Sequence, residues 1–266
     1  MQRFAQTNIQ LFNQMQAAGY STEDLERAAR GFAVVREIFV GKVRASGKDL
    51  TSHLAGTASI LVWLGRPADS VIAGMVHAAL EDGDFGGRDP EKVIVEAVGR
   101  GGYEHLMAYH TLRWSHTSEL VQQMLAELPS MDDLTREALV IRLANELEDY
   151  LDVAVRYTGR PLQQGEHFRI TYMNEAEKPM RELAVAAGVP QLADEITAQF
   201  DACRDAVVSP AMRSGHDHMW LQHPASSSPG LGARVMHQVK QTPRRFRKAR
   251  KLGVKGSVQR AKEMRG

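Results

Sequence analysis

Two histidines and a carboxylate pair lie in otherwise apolar stretches of this sequence. His77 follows the apolar run 71–76, where an imidazole without a hydrogen-bond partner would be costly, and His53 opens another apolar stretch. Glu81 comes four residues after His77, one helical turn further on the same face, and Asp82 follows it. Imidazoles bind divalent metals and carboxylates transfer protons, so this set predicts a metal site with a general acid or base.

Each histidine taken alone has a simpler interpretation. A single buried histidine is more often a hydrogen-bonded core residue than a metal ligand. Arg44, Ser46 and Lys48 precede both histidines around a Ser-Gly turn, and the interpretation changes only through the family resemblance that this ordered set carries. The ordered set, and not either histidine by itself, favours a functional site.

The order and spacing of these residues resemble those of a known family. Arg44-x-Ser46-Gly47, His53, His77 and Glu81-Asp82 look like the R-x-S-G, H, HD and ED blocks of RelA/SpoT-type alarmone hydrolases, without a gap. The block 140–145, Val-Ile-Arg-Leu-Ala-Asn, is similar to the later K-L-A-D helix of that family. The resemblance implies an HD-type helical domain that hydrolyses the 3'-diphosphate of a guanosine nucleotide.

The resemblance also implies a role for each matched residue. It implies that His53, His77 and the position of Asn145 bind a divalent metal, which is manganese in the family. It implies that Glu81 and Asp82 are the catalytic acid/base pair. The residues that it implies for contact with the nucleotide are Arg44, Ser46, Lys48 and Arg142.

Two metal-ligand positions depart from the family pattern. Ala78 and Asn145 stand where the family has aspartates. Manganese prefers hard oxygen ligands, so their loss should weaken its binding. Asp149, one helical turn after Asn145, is the better substitute ligand, since Glu146 lies about 100° further around the helix. The alternative is that Glu146 and Asp149 are solvated surface charges.

Three functional hypotheses follow from this pattern. The first is a metal-dependent phosphohydrolase that acts on a phosphorylated small molecule. The second, favoured by Ala78 and Asn145, is a catalytically inactive HD-fold module that binds a nucleotide or an anionic metabolite. The third is metal-free acid/base chemistry by a histidine-carboxylate pair.

The elements that must position these residues are helices. Apolar residues recur at spacings of three and four up to about residue 207, which predicts an all-α bundle of the HD-like type. Helices are expected from Ser21 past Phe39 and over 51–64, 68–82, 132–157, 168–187 and 191–207, with shorter ones after residue 90 and 132–157 the longest. The predicted organisation is an N-terminal helix in 1–20, an HD-like helical domain in 21–207, a linker in 208–233 and a basic tail in 234–266.

The remaining candidate residues have weaker signals. Solvated or capping roles are expected for His105, His110 and His116, adventitious metal binding at most for His216, His218 and His223, and packing roles for Cys203, Trp63, Trp114 and Trp220. A single cysteine cannot form an internal disulfide, which suits a reducing compartment. The sequence has neither an apolar run of about 20 residues nor an apolar N-terminal block, so the expected location is the cytoplasm.

The charge of the chain is concentrated in its last residues. Residues 234–266 hold 12 Lys and Arg against Glu263, while 1–233 hold 21 basic and 31 acidic residues, so the tail carries +11 and the body −10. Such a tail is suited to an anionic partner, either a polyanion or the inner face of the membrane. The alternative is a disordered, solubilising tail.

Deleting residues 234–266 is predicted to abolish binding to anionic vesicles and nucleic acid without changing the melting temperature of the body. Binding of the full-length protein should fall steeply between about 50 and 200 mM salt, because it depends on charge. Vesicle sedimentation and a thermal melt of both forms measure this. If the full-length protein ignores vesicles and nucleic acid at low salt, or if deletion unfolds the body, the tail has another role.

Overall fold

The chain folds into helices, as the periodicity predicts. The computed structural model describes residues 3–114, 117–159, 168–216 and 219–221. The α-helices within these ranges are α1 (Asn8–Ala17), α2 (Thr22–Ile38), α3 (Leu50–Trp63), α4 (Ala68–Val76), α5 (Ala79–Asp82), α6 (Pro90–Thr111), α7 (Ser118–Glu127), α8 (Asp133–Glu148), α9 (Phe168–Ala186) and α10 (Pro190–Asp205). Three short 3-10 helices (Leu128–Ser130, Leu151–Tyr157, Pro210–Met212) and two strands, β1 (Lys42–Val43) and β2 (Trp220–Leu221), complete the list.

The all-α prediction is confirmed for the described residues. The cap predicted at Ser21 is also present, since its hydroxyl accepts from the Asp24 amide at 3.1 Å and the Asp24 side chain bonds back. None of the described helices has the length and apolarity to cross a bilayer. All contacts discussed below lie within residues 3–220, and the basic tail, like His116, His218 and His223, lies outside the described residues.

Helix α3 is the centre of the bundle. Eleven of its 14 residues are buried, and it packs against α1, α4 and α8. The contact with α4 is close because Gly74 faces Leu61, whose side chain occupies the space that a Cβ at Gly74 would need. This approach brings the His53 end of α3 beside the C-terminal end of α4, where His77 lies.

The single helix expected over 68–82 is wrong, since α4 ends at Val76 and α5 begins at Ala79. The His77 ring lies against the last turn of α4, and its Nδ1 is 2.7 Å from the carbonyl oxygen of Gly74. That carbonyl would accept the amide of Ala78 in a continuous helix, so the side chain competes with the backbone ladder. The break turns the chain at His77.

The helix expected over 132–157 is also shorter than predicted. Helix α8 begins after Asp132, whose side chain accepts from the Thr135 amide at 2.6 Å, and ends at Glu148. Asp152 and Val153 then adopt left-handed φ values of 56° and 50°, which a right-handed helix cannot contain. The segment turns toward α10, where the Arg156 guanidinium donates to the carbonyls of Cys203 and Arg204.

The helix after residue 90 is longer than expected. Helix α6 has 22 residues, interrupted at Gly99, where φ is 80°, so the sequence suggested several short helices. It packs against α2, α4 and α8 and contributes Tyr109 and His110 to the interior. Cys203 is buried and its thiol lies 3.4 Å from the Tyr150 carbonyl, which confirms the packing role; burial raises the pKa of this thiol to about 11.

The described part of the predicted linker returns to the loop that carries Arg44. The Ser214 hydroxyl donates to the carbonyl of Ala45, and the Trp220 indole donates to the carbonyl of Arg44 at 3.3 Å. His216 stacks on Trp220 with ring centroids 3.8 Å apart. These contacts hold the loop from outside, close to the site described below.

Replacing Glu137 by Ala is predicted to lower the free energy of unfolding by about 2–3 kcal/mol, since it leaves the buried Ser70 hydroxyl and the partly exposed Arg66 guanidinium unpaired. The buried Glu137 carboxylate on α8 accepts from the Arg66 guanidinium and from the Ser70 hydroxyl at 2.7 Å, joining α8 to α4 and the turn before it. Denaturant unfolding measures the change.

The matched control is Glu37→Ala, which removes an exposed ion pair with Arg88. We expect a loss of under about 1 kcal/mol from it, because exposed pairs contribute little. Equal losses in the two variants would show that the Glu137 network does not stabilise the helix junction.

Candidate metal centre

The two histidines predicted as metal ligands face each other inside the bundle. His53 and His77 are buried, and their Nε2 atoms are 3.3 Å apart. The other nitrogen of each ring is engaged: Nδ1 of His53 contacts the Glu148 carboxylate, and Nδ1 of His77 bonds the Gly74 carbonyl. A metal-binding histidine usually donates its second ring N–H to such a group, which fixes the tautomer and the ring orientation.

The protonation of His77 follows from its surroundings. A backbone carbonyl only accepts, so Nδ1 of His77 carries the proton and Nε2 keeps its lone pair. Burial holds the pKa of His77 well below its ordinary value, and the neighbouring His53 lowers it further, although the bond to Gly74 acts in the opposite direction. The ring is therefore neutral at pH 7, as a metal ligand must be.

Glu148 is the carboxylate that the sequence analysis missed. It is fully buried at the end of α8, and Gly56, three residues after His53 on α3, makes room for it. A Cβ at Gly56 would lie 2.6 Å from Oε1 of Glu148. Two features of the sequence could have pointed to Glu148. It lies three residues after Asn145, on the same helix face, and Gly56 lies about one turn after His53.

Two cations from the loop before α3 neutralise the carboxylates at the end of α8. Lys48 forms an ion pair with Glu148, and Arg44 forms one with Asp149. Nδ1 of His53 lies 3.6 Å from Oδ1 of Asp149, and ligand atoms of His53, Glu148 and Asp149 all lie within 4.8 Å of one another. This group could hold a metal ion.

Tyr109 joins His77 to Asn145 and Arg142. Its ring centroid is 5.4 Å from that of His77, and the Arg142 guanidinium carbon lies 4.0 Å from the centroid of Tyr109. The Asn145 amide donates to the Tyr109 hydroxyl at 3.0 Å, which leaves Oδ1 of Asn145 buried and without a hydrogen-bond partner among the described residues. Burial raises the pKa of Tyr109 to about 12, so the phenol keeps its proton.

Glu81 lies at the edge of this cluster. Its carboxylate is about half exposed, and Oε1 is 3.6 Å from Nδ1 of His110. His110 is buried and packs edge-on against Tyr109, so the solvated or capping role expected for it is wrong. Asp82, by contrast, lies beside Lys42, whose ammonium is bonded to the backbone carbonyl of Asp82.

The structure therefore gathers most of the predicted residues but changes their partners. His53 faces His77, and Tyr109 links His77 to Asn145. Arg44 and Lys48, expected to contact a nucleotide, are bound to carboxylates, and the Ser46 hydroxyl accepts from the Lys48 amide at 3.4 Å. The choice of Asp149 over its neighbours overlooked Glu148, which the geometry places closer to His53.

Comparison of the sequence with protein-family models and with curated proteins finds no match. The interpretation of the site therefore depends on its own geometry.

Replacing Gly56 by Ala is predicted to destabilise the protein by about 1–3 kcal/mol, because the new methyl group overlaps Glu148. Alanine would otherwise favour the helix by about 0.5–1 kcal/mol over glycine. Denaturant unfolding of the variant measures the loss.

A second comparison, of Glu148→Ala with Gly56→Ala/Glu148→Ala, makes the same glycine substitution in a background without the carboxylate. With the carboxylate gone, the added methyl group has space, so the same glycine substitution should become neutral or stabilising. A loss of equal size in both backgrounds would contradict the contact between Gly56 and Glu148.

Proposed function

We propose that this chain is an HD-like helical domain that binds a divalent cation between His53 and His77 and hydrolyses a phosphorylated small molecule. The proposal joins the resemblance to RelA/SpoT-type hydrolases with the geometry of the histidine pair. Of the observations above, the facing Nε2 atoms, 3.3 Å apart, carry it.

The two Nε2 atoms need something between them. Nδ1 of His77 donates to Gly74, and Nδ1 of His53 faces a carboxylate, so two neutral rings would point lone pairs at each other. Either a second proton on one ring or a cation relieves this repulsion. The cation is favoured because each ring is oriented from behind, by Glu148 and by the Gly74 carbonyl, as ligating histidines are.

The neighbouring residues are suited to complete such a site. Asn145 offers a buried carbonyl oxygen without a hydrogen-bond partner among the described residues, at the position where the family has its last aspartate. A divalent cation held there would supply Lewis-acid activation of water and of a phosphoryl oxygen. Glu81, half exposed beside the cluster, would share with Asp82 the acid/base role that assists attack of water, which is the role that the resemblance gives the pair.

The anion-binding residue of this proposal is Arg142. Its guanidinium stacks on Tyr109, and its Nε is buried without a hydrogen-bond partner in the described part of the chain. Arg44 and Lys48 are already neutralised by Asp149 and Glu148, so a phosphate would have to compete with those carboxylates for them. A guanidinium with an unused donor is suited to bind phosphate.

The same arginine supports a second candidate function. A module without hydrolytic activity would bind a nucleotide or an anionic metabolite through Arg142, with the histidines sharing a proton and no metal. The absence of both family aspartates at Ala78 and Asn145 favours it. The two functions differ in one measurable property, since only the hydrolase requires a divalent cation.

Replacing His77 by Ala is predicted to abolish both divalent-cation binding and any release of pyrophosphate from a guanosine nucleotide with a 3'-diphosphate. Calorimetric titration with Mn²⁺ and Zn²⁺ measures the first, and a pyrophosphate assay measures the second. Both should disappear because a ligand is lost.

The matched control is His105→Ala. His105 also bonds a carbonyl of its own helix through Nδ1, at 2.9 Å from Gly101, but it is partly exposed and lies outside the His53–His77 pair. It should leave binding and activity intact. Wild-type protein that binds neither cation at tens of micromolar and releases no pyrophosphate would exclude the hydrolase, and binding of the nucleotide by such protein would favour the second candidate.

A further inference from the structure

We infer that the histidine pair selects a borderline, nitrogen-preferring cation such as Zn²⁺, and that it binds Mn²⁺ poorly. The inference rests on the proposed function, because it concerns the cation of the same site. It departs from the resemblance, which implies manganese, and it depends on where this chain places its carboxylates.

The donor atoms that face the space between the rings are neutral. They are Nε2 of His53 and Nε2 of His77, and Asn145, which Tyr109 links to His77, adds a buried amide oxygen as a candidate oxygen ligand. Ala78 offers no ligand atom. Imidazole nitrogen suits zinc, copper and nickel, whereas carboxylate oxygen suits manganese and magnesium. A site with these donors lacks the hard anionic ligands that Mn²⁺ needs.

The carboxylates of the cluster lie on the other side of the His53 ring. Glu148 contacts Nδ1, which is opposite the nitrogen that faces His77, and it is also paired with Lys48. Asp149 is near the same Nδ1 and is paired with Arg44. A cation bound by these two carboxylates would have to displace both the lysine and the arginine, so they are suited to orient His53 rather than to bind the metal.

The distance between the two nitrogens agrees with zinc geometry. Two Zn–N bonds of about 2.0–2.1 Å at a tetrahedral angle place the nitrogens about 3.3–3.4 Å apart. The observed Nε2–Nε2 separation is 3.3 Å. The spacing of the two nitrogens therefore suits such a cation, and both rings are held by hydrogen bonds at Nδ1.

The negative charge of Glu148 would reach the cation through His53. A carboxylate behind a ligating histidine raises the basicity of the ring, which strengthens binding of a borderline metal without supplying an oxygen ligand. Glu148 and the His53 ring to which it is bonded are both fully buried, so water screens this polarisation little. The lack of aspartates at Ala78 and Asn145 and the presence of Glu148 behind His53 therefore both favour a nitrogen-preferring cation over Mn²⁺.

The experiment compares cation affinities of full-length wild type and Ala78→Asp/Asn145→Asp, which returns both family carboxylates. Wild type should bind Zn²⁺ by competition titration with a chromophoric chelator, and its Co²⁺ form should show the intense visible absorption of a four-coordinate site. The double variant should raise Mn²⁺ affinity by about 10- to 100-fold, the size of effect that changes around a metal commonly have. His77→Ala should remove the Co²⁺ spectrum.

The possible results separate this inference from the function on which it rests. If wild type binds Mn²⁺ as tightly as the double variant does, or if its Co²⁺ form shows only the weak absorption of six-coordination, the selectivity is wrong while the cation site remains. If wild type binds none of the three cations, the proposed function itself fails. The Co²⁺ measurement needs no substitution, so it tests the inference even if the double variant does not fold.

Discussion

The buried contact between His53 and Glu148 determines the arrangement of everything around it. It joins the first turns of α3 to the last turn of α8, across 95 residues of sequence, in a region without solvent. A buried carboxylate is costly unless it is paired and hydrogen-bonded. Lys48 and Gly56 meet these requirements, one by supplying charge and the other by leaving space. The same contact therefore involves the loop before α3, the packing of α3 on α8 and the orientation of the histidine ring.

The resemblance to alarmone hydrolases and the geometry of this site share His53, His77 and Arg44 but depend on different partners of these residues. The resemblance depends on the order of Arg44, His53, His77 and Glu81 along the chain. The geometry depends on Glu148 and Tyr109, which no motif contains, and on the pairing of Arg44 with Asp149.

Local signals in the sequence predicted the helices better than their ends. The cap at Ser21 and the periodicity of α3 depend on neighbouring residues, so both were predictable. The break after Val76 depends on a bond between the side chain of His77 and a backbone carbonyl, and apolar periodicity carries no sign of it. The segment after α8 leaves the helix direction and bonds α10 through Arg156, and α10 comes more than 40 residues later. For the same reason Asp149 could be placed near the site from helix geometry, whereas the burial of Glu148 required knowing that Gly56 lies opposite.

The segment around Ser214 and Trp220 has a consequence for the time at which the site is completed during synthesis. Both histidines, Glu148 and Tyr109 precede residue 151, so a nascent chain of that length contains the whole cluster. The bonds that hold the carbonyls of Ala45 and Arg44 come from residues made much later. A nascent chain that ends at residue 151 therefore holds every residue of the cluster and neither of the two residues that bond the loop of Arg44 from outside.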